Sequence, residues 1–411
     1  MIAVSHNNLW LQAVKMQLSP LTERVTGSGA SAWDLHSKAL KERGAGNDVI
    51  IMSVGDPDFA TPNKITETAR EALARGDTHY AEIKGRLPLR KIIAQRHINQ
   101  TGQDVTPDNV IVLAGAQCGL FTASLCIATT GDEVIALEPM YITYEASIQV
   151  TGATIVRVAQ KADNGFRPNI SAIEAAITSK TKAIFITTPN NPTGVVLNRD
   201  ELVEISRIAI KHNLWVISDE VYADLIFSGE HISIASFPGM AERTVTISSL
   251  SKSHAMTGWR VGWAIGPQHL VEAMEKVALC MLYGLPGFSQ EAAKVALTDL
   301  ADEPKKMKAI YQRRRDLTLK ALEEAPSLVA HIPEAGMFLL VDIRATGMTS
   351  REFSEQLYAQ TGVCVLDATP FGESARGHIR LSFTLGEEQL IEGCNRLCQF
   401  VNSRLNDRAI A

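Results

Sequence analysis

Lys252 stands among small hydroxyl residues in "TISSLSKSHAMTGWRVGW" (246–263), with Ser249 and Ser251 before it and Arg260 after it. The ordinary fate of a lysine is a solvated surface position. Two serines and an arginine close by can instead converge on one anion and leave the lysine amine for carbonyl chemistry. Further residues invite the same question. Asp219 ends the apolar run of "LWVISDEVY", with Tyr222 three positions on, and a carboxylate at such a place is costly unless it is paired. The bland reading of Asp219 is an N-cap for the segment that follows. Asn191 lies in "IFITTPNNPTG", where the same residues also make an ordinary turn. Tyr141 follows "IALEP", a position that more often serves a core than a ligand. Gly115, Ala116 and Gln117 follow "NVIVLA", where a helix start offers amides to a phosphate or merely packs tightly.

Elements must bring these residues together. "NVIVLAG", "DEVIALEP", "ATIVRVA", "KAIFITTP", "LWVISDE" and "TVTISSL" read as strands rich in Val and Ile on both faces. Amphipathic helices lie between several of them, as in "RDELVEISRIAIKHN", with Leu202, Ile205, Ile208 and Ala209 on one face. The pattern predicts an α/β protein whose mostly parallel sheet is covered by helices. In such sheets ligands bind at the carboxyl ends of the strands, and the residues above fall there. After residue 300 the texture changes: the charged helix "PKKMKAIYQRRRDLTLKALEEA" leads to "GMFLLVDI", "GVCVLDA" and "HIRLSF". This reads as a smaller α+β domain. The expected division is an N-terminal extension (1–15), a small-domain N-terminal segment (16–60), a large domain (61–300) and a small C-terminal domain (301–411).

The candidates answer one chemical problem. Pyridoxal 5'-phosphate needs a lysine for its aldehyde and an acid beside its pyridine nitrogen. Its phosphate needs an arginine, hydroxyls and a helix N-terminus, its phenolic oxygen needs donors, and its ring needs an aromatic face. Lys252, Asp219, Arg260, Ser249, Ser251, Asn191, Tyr222 and Tyr141 supply that set.

At this point the chain resembles the class I, fold-type I aminotransferases dependent on pyridoxal phosphate. The likeness rests on "VGDPDFATP", "HYAEIKGRLPLR", "GAQCGL", "EPMYITYE", "NNPTG", "DEVY", "SLSKSHAMTGWRVGW" and "HIRLSF", in that order, over residues 20 to 405 or so. It implies that Lys252 forms the Schiff base, that Asp219 partners the pyridinium, and that Asn191 and Tyr222 contact the ring oxygen. Tyr141 would stack on the ring, where many relatives carry Trp or Phe. Ser249, Ser251, Arg260 and the Gly115-Ala116-Gln117 segment would bind phosphate. Tyr80 would reach the phosphate of a neighbouring subunit, which implies a homodimer with shared sites. Arg380 would fork onto the substrate α-carboxylate, helped by Asn191 and the backbone of Gly55. The implied reaction moves an α-amino group to a 2-oxo acid by ping-pong chemistry. "VLAGAQCGL", "EPMYITYEA", "SLSKSHAMTGWRVGW" and "ALCMLYG" are similar to the bacterial arginine–pyruvate transaminases. Aspartate or aromatic transamination and C–S β-lyase chemistry use the same fold, and a basic substrate side chain would need an acidic partner in a pocket that the sequence does not locate.

Rival readings fare worse. Ser249-x-x-Lys252 also fits serine acyl-enzymes of the penicillin-binding type, but the chain has no K-T-G and no S-D-N, and Asp219 and Arg260 would be left unexplained. A non-catalytic sensor with an appended DNA-binding domain lacks the room and basic character for one. "GSGASA" (27–32) follows no strand, so a helix start capped by Ser28 or Ser31 is expected there rather than a dinucleotide loop. A formal charge of −5 gives no electrostatic case for nucleic acid or an anionic membrane, and no apolar run approaches the ~20 residues of a membrane span. The six cysteines are expected to be free thiols, with no metal site. The first twenty residues lack the features of a secretory signal, and a cytoplasmic protein is expected.

Overall fold

The computed structural model describes residues 16–25 and 29–410, so the expected extension 1–15 and Ser28 lie outside the described residues. The segment that follows Ser28 is a 3₁₀ turn, Ala30–Trp33, which runs into the helix Asp34–Gly44. That helix has Trp33 at its N-cap and no side-chain cap.

Among the described residues, thirteen strands form three sheets. A short strand β1 (Ile50–Ile51) precedes the large sheet. The large sheet comprises β2 (Val110–Leu113), β3 (Glu133–Glu138), β4 (Thr154–Ala159), β5 (Thr181–Thr187), β6 (Trp215–Asp219), β7 (Thr244–Ser249) and β8 (Gly262–Ile265). Their order is β2-β8-β7-β6-β5-β3-β4, and only β8 runs against its neighbours. The inner strands are buried on both faces, as their unbroken Val/Ile runs require. β2 and β4 are the sheet's two edges; β2 is covered and fully buried, whereas β4 exposes Thr154, Arg157 and Ala159.

The helix Arg199–Lys211 buries Leu202, Ile205, Ile208 and Ala209, and its start is fixed by a capping box between Asn198 and Glu201. One consequence of the topology governs the site. Parallel strands β2, β3, β5, β6 and β7 end at one rim of the sheet, and antiparallel β8 begins there. Residues just after the former and just before the latter therefore meet.

The remaining strands are β9 (Val329–Ala330), β10 (Phe338–Asp342), β11 (Val363–Cys364), β12 (Leu366–Asp367) and β13 (His378–Ser382). β12-β13-β10-β9 is an antiparallel sheet, whereas β11 pairs in parallel with β1. The run "GVCVLDA" is thus two short strands in two sheets. Its hydrophobicity is continuous, but the chain changes partner at Val365. One apolar core joins Met52, Phe338, Leu339, Phe353, Ile379, Leu381 and Phe400 with Met307 and Tyr311 of the long helix Glu303–Leu322. Tyr222 and Leu225 belong to the same core, so the rim of the large sheet is packed against the smaller sheet. Among the described residues, no helix is long and apolar enough to cross a membrane.

Candidate active site

A cavity of about 360 Å³ opens at this rim, between the two sheets. Its charged lining residues are Lys252, Arg260, Arg380, Asp219 and Asp56. Ala116, Gln117, Tyr141, Asn191, Tyr222, Ser249, Ser251 and Gly55 of the sequence candidates line it as well.

Lys252 lies on the one-turn helix Leu250–Ser253, which Ser249 caps by accepting the Ser251 amide at 3.3 Å. The Lys252 ammonium donates to the Gly55 carbonyl at 2.6 Å. Burial lowers its pKa to about 8, with Arg380 and Arg260 adding to the effect and Asp56 opposing it. Asp219, at the end of β6, is buried. Its Oδ2 accepts from the Tyr144 hydroxyl at 2.5 Å and its Oδ1 from the Val221 amide at 3.2 Å. Burial raises its pKa to about 6 against the effect of these donors. Asp219 caps no regular helix; the chain after it turns.

Arg260 precedes β8 in the left-handed conformation (φ 54°). Its guanidinium donates to the Thr257 carbonyl at 2.7 Å and to the Ala114 carbonyl at 3.3 Å. Gly115, the N-cap of the helix Ala116–Ile127, has φ 82°, and a Cβ there would come within 2.4 Å of Arg260 Nη2. Gly115 thus lies behind Arg260 rather than on the cavity wall, while Ala116 and Gln117 face the cavity. The Gln117 side chain is held by Ser147 (2.8 Å) and Thr143 (2.6 Å).

Arg380 comes from the middle of β13 and is 2% exposed. It donates to Asn191 Oδ1 at 3.0 Å and to the Ser53 carbonyl at 2.7 Å, and it lies between the Phe338 and Phe371 rings, each 5.0 Å from its Cζ. Its Nε has no partner, and it makes no ion pair among the described residues. Burial depresses its pKa to about 10. A buried cation without a counter-ion is costly, and an anion entering the cavity would relieve that cost. Tyr222 and Tyr141 are both held protonated, by burial first.

Besides Gly115, Tyr80 is also left out of the cavity. It is 85% exposed and its ring packs on Tyr283, with centroids 4.7 Å apart. Several lining residues escaped the sequence reading: Asp56, Trp33, Thr257, Phe338 and Tyr144. Tyr144 is fully buried and also accepts from Thr187 at 2.9 Å. Its motif was visible, but in "YITY" nothing distinguishes the tyrosine that faces the cavity from the one that reaches Asp219.

A lysine of lowered proton affinity, an aspartate of raised proton affinity and two arginines without ion-pair partners among the described residues meet at the rim of an α/β sheet, an arrangement suited to amino-group transfer. The chain belongs to the class I and II aminotransferases, whose family model matches residues 47–397. It is 48% identical to the arginine–pyruvate transaminase of Pseudomonas aeruginosa over 382 residues, 93% of this chain and 97% of that one. It is 35% identical to the aspartate/prephenate aminotransferase of Thermus thermophilus over 92% of this chain and 98% of that one. The solved aspartate aminotransferase of Thermus thermophilus with maleate superposes with a TM-score of 0.89 at 34% identity, covering 93% of this chain and 99% of that one.

Proposed function

We propose that the chain binds pyridoxal 5'-phosphate at this rim and moves the α-amino group of arginine to pyruvate. The observation that carries the chemistry is that Lys252 lines one cavity with Asp219 and with two arginines that make no ion pair among the described residues, while partial burial lowers its pKa to about 8. The arginine reading rests on 48% identity over 93% of the chain.

The residues fit the cofactor. Arg260, Ser249, Ser251 and the amides of Ala116 and Gln117 would hold its phosphate, and only glycine at 115 leaves the guanidinium its place. Asp219 would face the pyridine nitrogen, Asn191 and Tyr222 the phenolic oxygen, and Tyr141 the ring. Bound there, the cofactor supplies a carbonyl carbon for the amino group and a ring that draws electrons from the Cα–H bond. Arg380 and Asn191 grip the substrate α-carboxylate, which fixes that bond relative to Lys252. Lys252 Nζ in its neutral form takes the Cα proton and later returns one. Tyr144 donates to Asp219 and so keeps its charge aimed at one point. Release of the first oxo acid before the second binds gives ping-pong kinetics.

The active unit is a homodimer in which Tyr80 serves the neighbouring site. Six unpaired cysteines support a reducing compartment, the cytoplasm. The division into 16–60 with 301–411 against 61–300 has the support of the sheets: β2 to β8 pair only with one another, β9, β10, β12 and β13 form the smaller sheet, and β1 pairs with β11. The test is the visible spectrum of the purified protein on separate addition of L-arginine, L-aspartate, L-alanine and L-phenylalanine. Bleaching fastest with arginine and reversed by pyruvate is expected. Colour that persists with all four would overturn the substrate and the reaction, and a protein that stays colourless with pyridoxal phosphate would overturn the site.

A further inference from the structure

Five charged side chains line the cavity, and the cofactor and the amino-acid backbone account for four of them. Arg260 answers a phosphate, Arg380 an α-carboxylate, Asp219 a pyridinium, and Lys252 is the reacting amine. Asp56 is left over. It follows Gly55, whose carbonyl receives the Lys252 ammonium, so it stands beside the reacting centre, where it lines the cavity and is exposed. It makes no hydrogen bond or ion pair with any described residue. Its neighbour in the same "DPD" stretch is different: Asp58 is gripped by Arg314 through two bonds of 2.7 and 2.9 Å. One acid of the pair is thus neutralised within the protein and the other faces the cavity unpaired.

We infer that Asp56 is the subsite for the substrate's side chain and that it selects a cationic, guanidinium-bearing one. The inference rests on the transaminase reading above and adds the residue that sets its substrate class. A planar guanidinium suits a carboxylate because two parallel N–H donors meet its two oxygens. The same count of charges disfavours acidic amino acids: once Arg260 and Arg380 are engaged, this chain lines the cavity with no cation for a second carboxylate. An uncharged side chain would gain no charge pairing from the Asp56 carboxylate.

Rates alone would confound the test, because Asp56 also raises the proton affinity of Lys252. Equilibrium binding of ligands that lack an amino group avoids this. The dissociation constants of 5-guanidinopentanoate and pentanoate are to be measured by calorimetry on the cofactor-loaded protein, on Asp56→Asn and on Asp56→Glu. The wild type is expected to prefer the guanidinium ligand by about five- to fiftyfold, the range of a partly desolvated charge pair. Asp56→Asn should bring that ratio close to one, and Asp56→Glu should keep most of it. A preference that survives in Asp56→Asn would overturn the role of Asp56 while leaving the arginine reading intact. A wild type with no preference would overturn both, and a spectrum bleached by other amino acids would then still preserve transamination itself.

Discussion

Lys252 and Asp219 owe their shifted proton affinities to the same cause, acting in opposite directions. Burial disfavours charge, so it lowers the lysine to about 8 and raises the aspartate to about 6. A measurable consequence concerns cofactor uptake. Only the neutral amine attacks an aldehyde, and its fraction grows as pH rises through the pKa. The rate at which cofactor-free protein captures pyridoxal phosphate should therefore rise with a midpoint near pH 8, followed by absorbance after rapid mixing; a midpoint above 10 would mean that Lys252 behaves as a solvated lysine. Arg380 makes a second case. Lysine at 380 keeps the charge but loses the fork onto Asn191 and the Ser53 carbonyl and the flat stack between Phe338 and Phe371. Arg380→Lys should raise KM for every amino acid by about ten- to a hundredfold, with a smaller effect on kcat, and an unchanged KM would remove Arg380 as the carboxylate clamp. The two cases differ in legibility. Lys252, Asp219 and Asn191 were readable because each follows a strand of evident pattern. Arg380 sits within the strand "HIRLSF", so its own surroundings read as sheet and only the resemblance pointed to it. Asp56 and Tyr144 were not legible as cavity-lining residues, since nothing in their local sequence says which side chain reaches the cavity.

The elements convert these residues into a site through backbone positions that tolerate little change. Gly115 joins β2 to the helix Ala116–Ile127, and Gly262 opens β8 beside it: a Cβ on Gly262 would lie 2.5 Å from the Gly115 carbonyl carbon. Glycine at both places lets the helix start approach the strand that carries Arg260. Gly115→Ala combines φ 82° with a Cβ at 2.4 Å from the Arg260 guanidinium. The backbone term is about 1–2 kcal/mol, and the guanidinium must move. The dissociation constant for pyridoxal phosphate, followed by dialysis and absorbance, should rise about tenfold or more, while the far-ultraviolet circular dichroism stays unchanged. Retention equal to wild type would mean that Arg260 is not part of the phosphate cradle. Most strands of the large sheet could be read from the sequence, because buried parallel strands are continuous apolar runs bounded by turns. β11 and β12 could not be separated: "VCVLD" is one run by composition, and which sheet each half joins depends on β1 and β13, distant in sequence.

A single chain does not account for every residue that the family pattern calls on. Tyr80 is 85% exposed and its ring packs on Tyr283, itself 52% exposed, with Met281 (45%) nearby in sequence. Large exposed aromatic and apolar side chains grouped this way mark an interface. Sedimentation should therefore give twice the chain's 44.7 kDa. The stronger test asks which site Tyr80 serves. In the Tyr80→Phe homodimer both sites would lack the hydroxyl and hold pyridoxal phosphate less tightly. In the Lys252→Ala homodimer both sites would lack the reacting amine. Mixing the two variants through a step of dissociation and reassembly creates dimers that contain one chain of each. If Tyr80 reaches across, the site of the Tyr80→Phe chain has its own Lys252 and receives Tyr80 of the partner subunit, so each mixed dimer regains one site with wild-type cofactor affinity and turnover. If Tyr80 instead serves its own chain, neither site of the mixed dimer is whole, and mixing restores nothing.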